Sequence, residues 1–240
     1  MRILTITGAG ISAQSGIPTF RGAGGYWRTH DQMALATHAA FDRNPALVWE
    51  WYKERRAAVE RSLPNAAHVA LTKLGLQCPD SLLVTQNVDD LHVRAVFGGQ
   101  HLSASQMVQI HGDLFVSRCE VCGFSRRAPE EDKENVPLCP ITCGPLRPGV
   151  VWFDEELEPA LVRRIDEFLR RGPCDAVLVV GTTAQFDYIV DWMQRARGQQ
   201  TRIFEINPEQ TEVSHLVTDI VREPATLGVP RIVDQLLTTG

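Results

Sequence analysis

The sequence contains no apolar run that approaches the roughly 18 residues of a membrane-spanning helix, so it predicts no transmembrane segment. It also has no excess of positive charge, since 24 Lys and Arg residues stand against 29 Asp and Glu residues, for a formal net charge of −5. Nucleic-acid-binding surfaces need clustered Lys and Arg, so this balance argues against a broad surface of that kind. Internal repeats and low-complexity segments are absent.

We expect no signal or transit peptide, because an apolar strand is predicted from Ile3. We therefore expect a cytoplasmic protein, with the nucleus or, for a trimmed precursor, the mitochondrion as alternatives. The composition is that of an ordinary globular protein, with 44% apolar and 22% charged residues among 240. This length is enough to bury one core and to append a small module.

The first motif is a buried strand followed by a glycine-rich turn. Residues 3–7 are apolar and β-branched, and they run directly into Gly8-Ala9-Gly10, with Ala13 where a dinucleotide-binding fingerprint has Gly or Ala. Such glycines let the backbone approach a pyrophosphate, whose charge is stabilised by the N-terminus of the next helix. The motif alone also fits a plain strand-to-helix turn, so both interpretations stay open.

Further strands alternate with helices along the chain. Strands are predicted at 81–85, 108–110, 176–180 and 202–206, and helices at 45–62, 65–74, 159–171 and 229–237. On the first of these helices, the spacing predicts that Leu47 belongs to the packed face, with Val48, Trp51 and Val59. Alternating elements with polar or glycine-rich strand ends predict an α/β fold with a doubly wound parallel sheet.

Four of the six cysteines form two closely spaced pairs, Cys119-x2-Cys122 and Cys139-x3-Cys143. Two such pairs bring four thiolates to one tetrahedral Zn²⁺, and a closed Cys₄ set leaves no position for a substrate. The spacing therefore predicts a structural zinc ribbon. Two disulfides are the alternative, which the lack of a secretion signal disfavours.

Polar side chains follow two of the predicted strands, at the edge where open α/β sheets bind ligands. Gln86, Asn87 and Asp89 follow the strand at 81–85, and His111 follows the strand at 108–110. A histidine with a near-neutral pKa suits general-base chemistry, although a lone histidine at a strand end is more often structural.

Taken together, these motifs resemble the sirtuin (Sir2) family of NAD-dependent protein-lysine deacylases. The matching segments, in the family's order, are GAGISAQSGIPTFRG from Gly8, TQNVD from Thr85, IHGDLF from Ile110, the four cysteines, RPGVVWFDE from Arg147, GTT from Gly181 and INPE from Ile206. They cover nearly the whole chain, which makes coincidence a poor explanation.

The resemblance implies a division into domains. A Rossmann-like NAD-binding domain would comprise residues 1–22, 66–112 and 149–240. A helical and cofactor-loop module at 23–65 and the zinc ribbon at 113–148 would form the inserted small domain.

The resemblance also implies an NAD site across the strand ends. The pyrophosphate would lie on the Gly8-Ala9-Gly10 turn, and Asn87 with Asp89 would position the nicotinamide ribose and carboxamide. The adenosine ribose side would be held by Thr182, Thr183 and Asn207. The implied cofactor-binding residues are Gly8, Ala9, Gly10, Ser12, Ala13, Phe20, Arg21, Trp27, Gln86, Asn87, Asp89, His111, Gly181, Thr182, Thr183, Asn207, Pro208, Glu209 and Ala225.

The chemistry implied for the family starts with attack of the acyl-lysine carbonyl oxygen on the ribose carbon as nicotinamide leaves, which gives an alkylimidate. His111 would then act as general base on a ribose hydroxyl, with Asn87 and Asp89 as the other catalytic residues, while Phe20 shields the reactive carbon from water. The products are free lysine, nicotinamide and acyl-ADP-ribose. Expected partners are acylated lysines in proteins, without nucleic acid or membrane, and we expect a monomer.

A possible acyl pocket lies on the helix from Pro45. Tyr52 and Arg55 are three residues apart, and a guanidinium binds a carboxylate bidentately, although a bare Arg is more often a surface charge. The surrounding segment resembles the sirtuin branch that removes succinyl, malonyl and glutaryl groups, where a small residue at the Ala36 position leaves room for the acid. Arg56 points about a quarter-turn away and is the poorer candidate.

One segment departs from the family pattern. Residues 184–188 (AQFDY) lack the Val-x-Pro pattern that typically follows GTS, and this segment normally lies beside the bound peptide. The alternatives to a deacylase of acidic acyl groups are a protein deacetylase, a mono-ADP-ribosyltransferase that uses the same NAD site, and a zinc-ribbon module that binds nucleic acid or protein.

Overall fold

The computed structural model describes residues 1–19, 32–127 and 135–239. Within these ranges the strands are β1 (Ile3–Thr7), β2 (Ser81–Thr85), β3 (Met107–Gln109), β4 (Gly112–Arg118), β5 (Ser125–Arg126), β6 (Arg147–Val150), β7 (Ala176–Val180), β8 (Arg202–Ile206) and β9 (Asp219–Val221). The helices are α1 (Gln32–Leu35), α2 (His38–Arg43), α3 (Pro45–Glu60), α4 (Ala66–Gln77), α5 (Leu91–Arg94), α6 (Pro159–Arg170), α7 (Asp187–Ala196) and α8 (Ala225–Thr239). No helix in the described ranges combines the length and the apolar character that crossing a membrane requires.

The main sheet of the described chain has six parallel strands in the order β3-β2-β1-β7-β8-β9. The chain builds one half of this sheet outward from β1 and then returns to build the other half from β7. The junction of β1 and β7 is therefore the topological switch point, where open α/β sheets bind ligands. The predicted doubly wound parallel sheet is confirmed.

Both faces of the main sheet are covered by helices. Because side chains alternate across a strand, Ile3 packs into the core under α4 and α8, whereas Leu4 packs into the core under α6 and α7. All residues of β1 and β7 are buried. Burial on both faces explains why these strands are continuous apolar runs in the sequence instead of alternating patterns.

A smaller antiparallel sheet, in the order β5-β4-β6, carries the cysteine-bearing loops. Helices α1 to α3 pack beside it around a third core, which contains Trp49 and Trp152. As predicted, Pro45 stands in the first turn of α3, and the Asn44 side chain caps that helix by accepting the Leu47 amide at 3.1 Å. These elements are those expected of the small domain, whose residue boundaries stay a prediction.

Two sequence-based expectations need correction. Leu47 was expected on the packed face of α3, but 44% of its surface is exposed, while Trp49 and Tyr52 are buried. The buried face differs because α3 packs against α2 as well as against β4 and β6. The last helix begins at Ala225 instead of Val229, because the Pro224 carbonyl accepts the amides of Leu227 and Gly228 in the first helical turn.

The turns after β1 and β7 interlock at the switch point. The Gly10 amide donates to the Gly181 carbonyl at 2.8 Å, and the Gly8 amide donates to the Val180 carbonyl at 3.0 Å. A Cβ atom at Gly10 would lie 2.8 Å from the Gly181 Cα, and one at Gly181 would lie 2.5 Å from the Ile11 nitrogen. Glycine is required here because two backbones occupy the space that a side chain would need.

We predict that Gly181→Ala destabilises the fold by about 3 kcal/mol or more, because it combines a left-handed backbone with this clash. Gly98→Ala is the matched control, since Gly98 has φ +59 against +58 for Gly181 but has open space around it. The control should cost only about 1 kcal/mol. Urea denaturation measures both free energies of unfolding, and equal losses would contradict the interlock.

Candidate active site

A cavity of about 880 Å³ lies at the carboxyl ends of the parallel strands, at the switch point. The loops after β1, β2, β3, β7 and β8 all contribute to its wall, as the fold requires. The predicted residues that line it are Gly8, Ala9, Gly10, Ala13, Ala36, Tyr52, Arg55, Gln86, Asn87, His111, Gly181, Thr182, Thr183, Asn207, Pro208, Glu209 and Ala225. One cavity therefore joins the residues expected to bind NAD to those expected to bind the acyl group.

Two predicted residues, Ser12 and Asp89, lie deeper than the cavity. They border a small adjoining cavity of about 20 Å³, to which Ala9 and Asn87 also contribute. That volume is close to the space of a single water molecule, so a nicotinamide group would need the walls to separate. Phe20, Arg21 and Trp27 lie outside the described residues.

The glycine turn differs from the expected phosphate cradle. The segment after Gly8 is a 3-10 helix, Ala9–Ser15, instead of the α-helix expected from the fingerprint. The Gly8 and Gly10 amides donate to backbone carbonyls of the β7 end, so they are not the groups that would face a pyrophosphate. What favours a dinucleotide here is the size of the cavity and the small residues along this wall, where Gly8, Gly10 and Gly181 have no Cβ atom.

Polar side chains join the ends of β2, β7 and β8. The Gln86 amide donates to the Thr182 hydroxyl at 3.0 Å, and the Asn207 amide donates to the Thr182 carbonyl at 3.1 Å. Thr182 is buried, whereas Thr183 is exposed. Thr182 and the Asn207 amide therefore brace the wall, and the Thr183 hydroxyl is the better placed of the two threonines to meet a ligand.

His111 is held in one tautomer by the backbone. Its Nδ1 lies 2.9 Å from the Gln86 carbonyl oxygen, which can only accept, so Nδ1 carries the proton. The lone pair is therefore on Nε2, which lies 2.7 Å from the Tyr188 hydroxyl. Burial lowers the pKa of His111, although the Gln86 hydrogen bond opposes this shift. The imidazole is thus neutral near pH 7, which a general base requires.

Tyr188 was not predicted as a site residue, and it belongs to an aromatic cluster beside His111. Its ring stacks on Phe186 with centroids 5.4 Å apart, and it packs against Trp192 at 4.8 Å. Burial raises the pKa of Tyr188. The sequence showed only that residues 184–188 depart from the family pattern. That departure pointed to the segment but not to a role for Tyr188.

A chain of buried polar groups lies under the site. The Asn65 backbone amide donates to His68 Nδ1 at 3.2 Å, so His68 carries its proton on Nε2. That Nε2 lies 3.4 Å from the Ser12 hydroxyl. Ser12 in turn donates to Asp89 at 2.9 Å and accepts from the Asn87 amide at 3.1 Å. Asp89 and Asn87 are therefore held in place by these hydrogen bonds. Burial raises the pKa of Asp89, and the Ser12 hydrogen bond opposes this shift.

On the opposite wall, Tyr52 is positioned by Trp152. The Trp152 indole donates to the Tyr52 hydroxyl at 3.0 Å, and the Arg147 guanidinium packs 3.4 Å from the Trp152 ring centroid. Arg147 is fully buried and ion-paired with Glu155, which also accepts the Trp152 amide at 2.9 Å. This network ties the cavity wall to β6 of the small sheet.

The two neighbouring arginines of α3 have different environments. Arg55 lines the cavity, and its guanidinium stacks on Trp51 at 4.6 Å and lies 5.5 Å from the Tyr52 ring. Arg56 donates to the carbonyls of Leu114 and Val116 on β4. Arg55, the arginine preferred from the sequence, is thus the one of the two that lines the cavity, and its role in acyl binding stays a prediction.

Three of the four predicted zinc ligands come together. The sulfur atoms of Cys119, Cys122 and Cys139 lie within 4.8 Å of one another. The Cys143 sulfur is not in this group, although its amide donates to the Cys139 carbonyl at 2.9 Å, which places its backbone beside the cluster. Thiolates at this spacing fit Zn²⁺, and a metal there would hold the loops of the small sheet together.

These features define an α/β enzyme with a dinucleotide-sized cavity at its switch point, and comparison with known proteins identifies the family. The Sir2 family model matches residues 8–187. A protein named NAD-dependent protein deacylase from Aquifex aeolicus is 38% identical over 98% of this chain and 95% of its own length. The dog protein named NAD-dependent protein deacylase sirtuin-5, mitochondrial, is 36% identical over 89% of this chain and 74% of its own length.

Solved structures agree. A Sir2 homologue in complex with NAD superimposes with a TM-score of 0.85 at 34% identity, covering 99% of this chain and 90% of that one. The chain belongs to the Sir2 family. The predicted family, the enzyme class of NAD-dependent protein deacylases and NAD as cosubstrate are confirmed.

We predict that the purified protein contains zinc, and that a strong chelator lowers its melting temperature by releasing the metal. Cys139→Ser should lose the metal, because its sulfur lies inside the cluster. Metal analysis of Cys143→Ser tests whether Cys143 is the fourth ligand. If Cys143 closes the tetrahedron, this variant should lose the metal too. Full zinc content in Cys139→Ser would contradict this site.

We predict that acid destabilises the fold through His68. Burial, and to a smaller extent the Arg94 charge, lowers the pKa of His68 to about 4, against 6.5 for an exposed histidine. In the unfolded chain His68 is therefore protonated below about pH 6.5, whereas in the folded chain it is protonated only below about pH 4. Stability is lost across that window as pH falls, by about 2 kcal/mol between pH 7 and pH 5. Denaturation midpoints should fall less steeply with pH in His68→Gln, and parallel pH profiles would refute the assignment.

Proposed function

We propose that this chain is an NAD-dependent protein-lysine deacylase that prefers acyl groups ending in a carboxylate. Succinyl, malonyl and glutaryl are the candidates, with weak activity on acetyl. The observation that carries the proposal is that Tyr52 and Arg55 line the same cavity as His111. A carboxylate at the end of an acyl chain would meet a guanidinium and a phenol there, whereas an acetyl group carries no charge for the guanidinium to bind.

The Arg55 side chain supports this role by its fixed orientation. Its stacking on Trp51 and Tyr52 restricts the guanidinium at the cavity wall, so little side-chain entropy remains to be lost when an acid binds. The nearby Asp89 carboxylate could also pair with the Arg55 guanidinium. It lies deeper, however, and accepts hydrogen bonds from Ser12 and from the Leu91 amide. The cavity side of Arg55 is thus the side on which a substrate anion would bind.

Tyr52 supports the same interpretation. Its oxygen accepts the Trp152 indole proton, and among the described residues its own hydroxyl proton meets no acceptor. Burial raises the pKa of Tyr52, with the Arg55 charge opposing, so the phenol keeps that proton to donate. Ala36 presents only a methyl group to the cavity, which leaves room that a larger side chain would fill.

The reaction proposed follows from the placement of His111. The substrate's acyl oxygen would bond to the ribose carbon of NAD⁺ as nicotinamide leaves, and the imidazole would then receive the proton of the ribose hydroxyl that attacks the acyl carbon. His111 is ready for this because its tautomer leaves Nε2 unprotonated. Asn87 and Asp89, held from below by Ser12, would position the nicotinamide end of NAD⁺.

The names of the relatives support deacylation, and the sirtuin-5 relative at 36% identity gives limited support for acidic acyl groups. Acylated lysines of other proteins are the proposed substrates, and the cytoplasm is the proposed compartment.

The test is the specificity constant for one peptide carrying either succinyl-lysine or acetyl-lysine. We expect wild type to favour succinyl, and Arg55→Met to lower succinyl turnover by about 10- to 100-fold, the worth of a charged hydrogen-bonded pair. Acetyl turnover should change little in the same variant. Arg61→Met is the matched control, because Arg61 is exposed just beyond the same helix.

An equal loss for both peptides in Arg55→Met would show a structural role instead. A wild type that favours acetyl-lysine would leave a Sir2 enzyme but contradict the acidic-acyl proposal. Addition of ADP-ribose to the peptide, without loss of the acyl group, would indicate ADP-ribosyl transfer.

A further inference from the structure

The hydroxyl of Tyr188 occupies the atom of His111 that a general base must use. Nδ1 of His111 donates to the Gln86 carbonyl, so the 2.7 Å contact at Nε2 must be a hydrogen bond donated by the phenol. A ribose hydroxyl that enters the cavity therefore does not find a free lone pair on Nε2. Both Tyr188 and His111 line the cavity, so the phenol oxygen is itself within reach of a substrate.

Both ends of this hydrogen bond are held in place. The Tyr188 ring is stacked nearly parallel to Phe186, at an interplanar angle of 9°, and its other neighbour is Trp192, which is 2% exposed. The imidazole is anchored by Gln86 and contacts Phe186 edge-on at 5.8 Å. A ring wedged in this way cannot leave Nε2 without disrupting the packing of α7.

The backbone before α7 is shaped to place this ring. Ala184 adopts φ +54, which L residues rarely do, and it is nevertheless buried. Its amide donates to the Thr182 hydroxyl at 3.1 Å, so the unusual turn is tied to the cavity wall. This is the segment that departs from the family pattern, so the Tyr188 contact is a property of this chain and does not follow from family membership.

We propose that Tyr188 relays the proton from the ribose hydroxyl to His111. The ribose oxygen gives its proton to the phenol oxygen while the phenol proton moves to Nε2. In the same step the ribose oxygen bonds to the acyl carbon of the alkylimidate, whose carbon–nitrogen π bond opens and leaves its electron pair on the lysine nitrogen. Tyr188 ends neutral, His111 ends as imidazolium, and no further reactant is needed. The relay rests on the proposed role of His111 as base, and it makes Tyr188 the group that touches the reacting hydroxyl.

Tyr188→Phe is the direct test, because it removes the hydroxyl and keeps the stacked ring. We expect the rate of deacylation at saturating substrates to fall by about 100-fold, the usual worth of one proton-transfer group. Exchange of labelled nicotinamide into NAD⁺ in the presence of acyl peptide should persist, because it reverses the bond change that precedes proton removal. A merely structural defect would slow both reactions together.

The His111→Ala variant separates the relay from the role of the base. Tyr188→Phe should add no further loss in a His111→Ala background, because two groups in one proton path are not additive. Deacylation by Tyr188→Phe at the wild-type rate or faster would overturn the relay. It would show instead that the phenol blocks access of the ribose hydroxyl to Nε2. Additive losses, or parallel loss of exchange and deacylation, would also overturn it. Full activity of His111→Ala would overturn the base assignment itself, and the relay with it.

Discussion

The close approach of two backbones at the junction of β1 and β7 is the constraint on which the rest of the structure depends. The turns that leave these strands share hydrogen bonds, and Gly10 and Gly181 lie too close for a side chain on either. Because the two halves of the sheet meet there, the same glycines that lock the fold also leave a cavity wall of small residues. The cavity is thus a consequence of the topology, and the loops after the other strands close around it.

The site is fixed by buried hydrogen bonds from two sides. From below, His68 and Ser12 hold Asp89 and Asn87, at the cost of keeping a histidine neutral in the interior. From the small sheet, a buried ion pair packs on Trp152, which orients Tyr52. Groups held in this way lose little freedom when a substrate binds, which is how a preorganised site favours reaction over mere binding.

The sequence predicted the elements whose signal is local. β1, β2, β7 and β8 are apolar because both faces are buried, and the cysteine spacing indicated a metal site without any fold. Contacts between distant residues could not be read in this way. His111 and Tyr188 are 77 positions apart, and their hydrogen bond depends on how the turn at Ala184 starts α7. The exposure of Leu47 likewise depends on what packs around α3, which periodicity does not report.

The proposed activity couples NAD⁺ cleavage in the cavity to removal of an acidic acyl group from lysine. Mass spectrometry of the products from NAD⁺ and a succinyl-lysine peptide tests it most directly. We expect unmodified lysine in the peptide, with nicotinamide and succinyl-ADP-ribose formed in equal amounts. Free succinate without consumption of NAD⁺, or a peptide that keeps its acyl group and gains ADP-ribose, would contradict it.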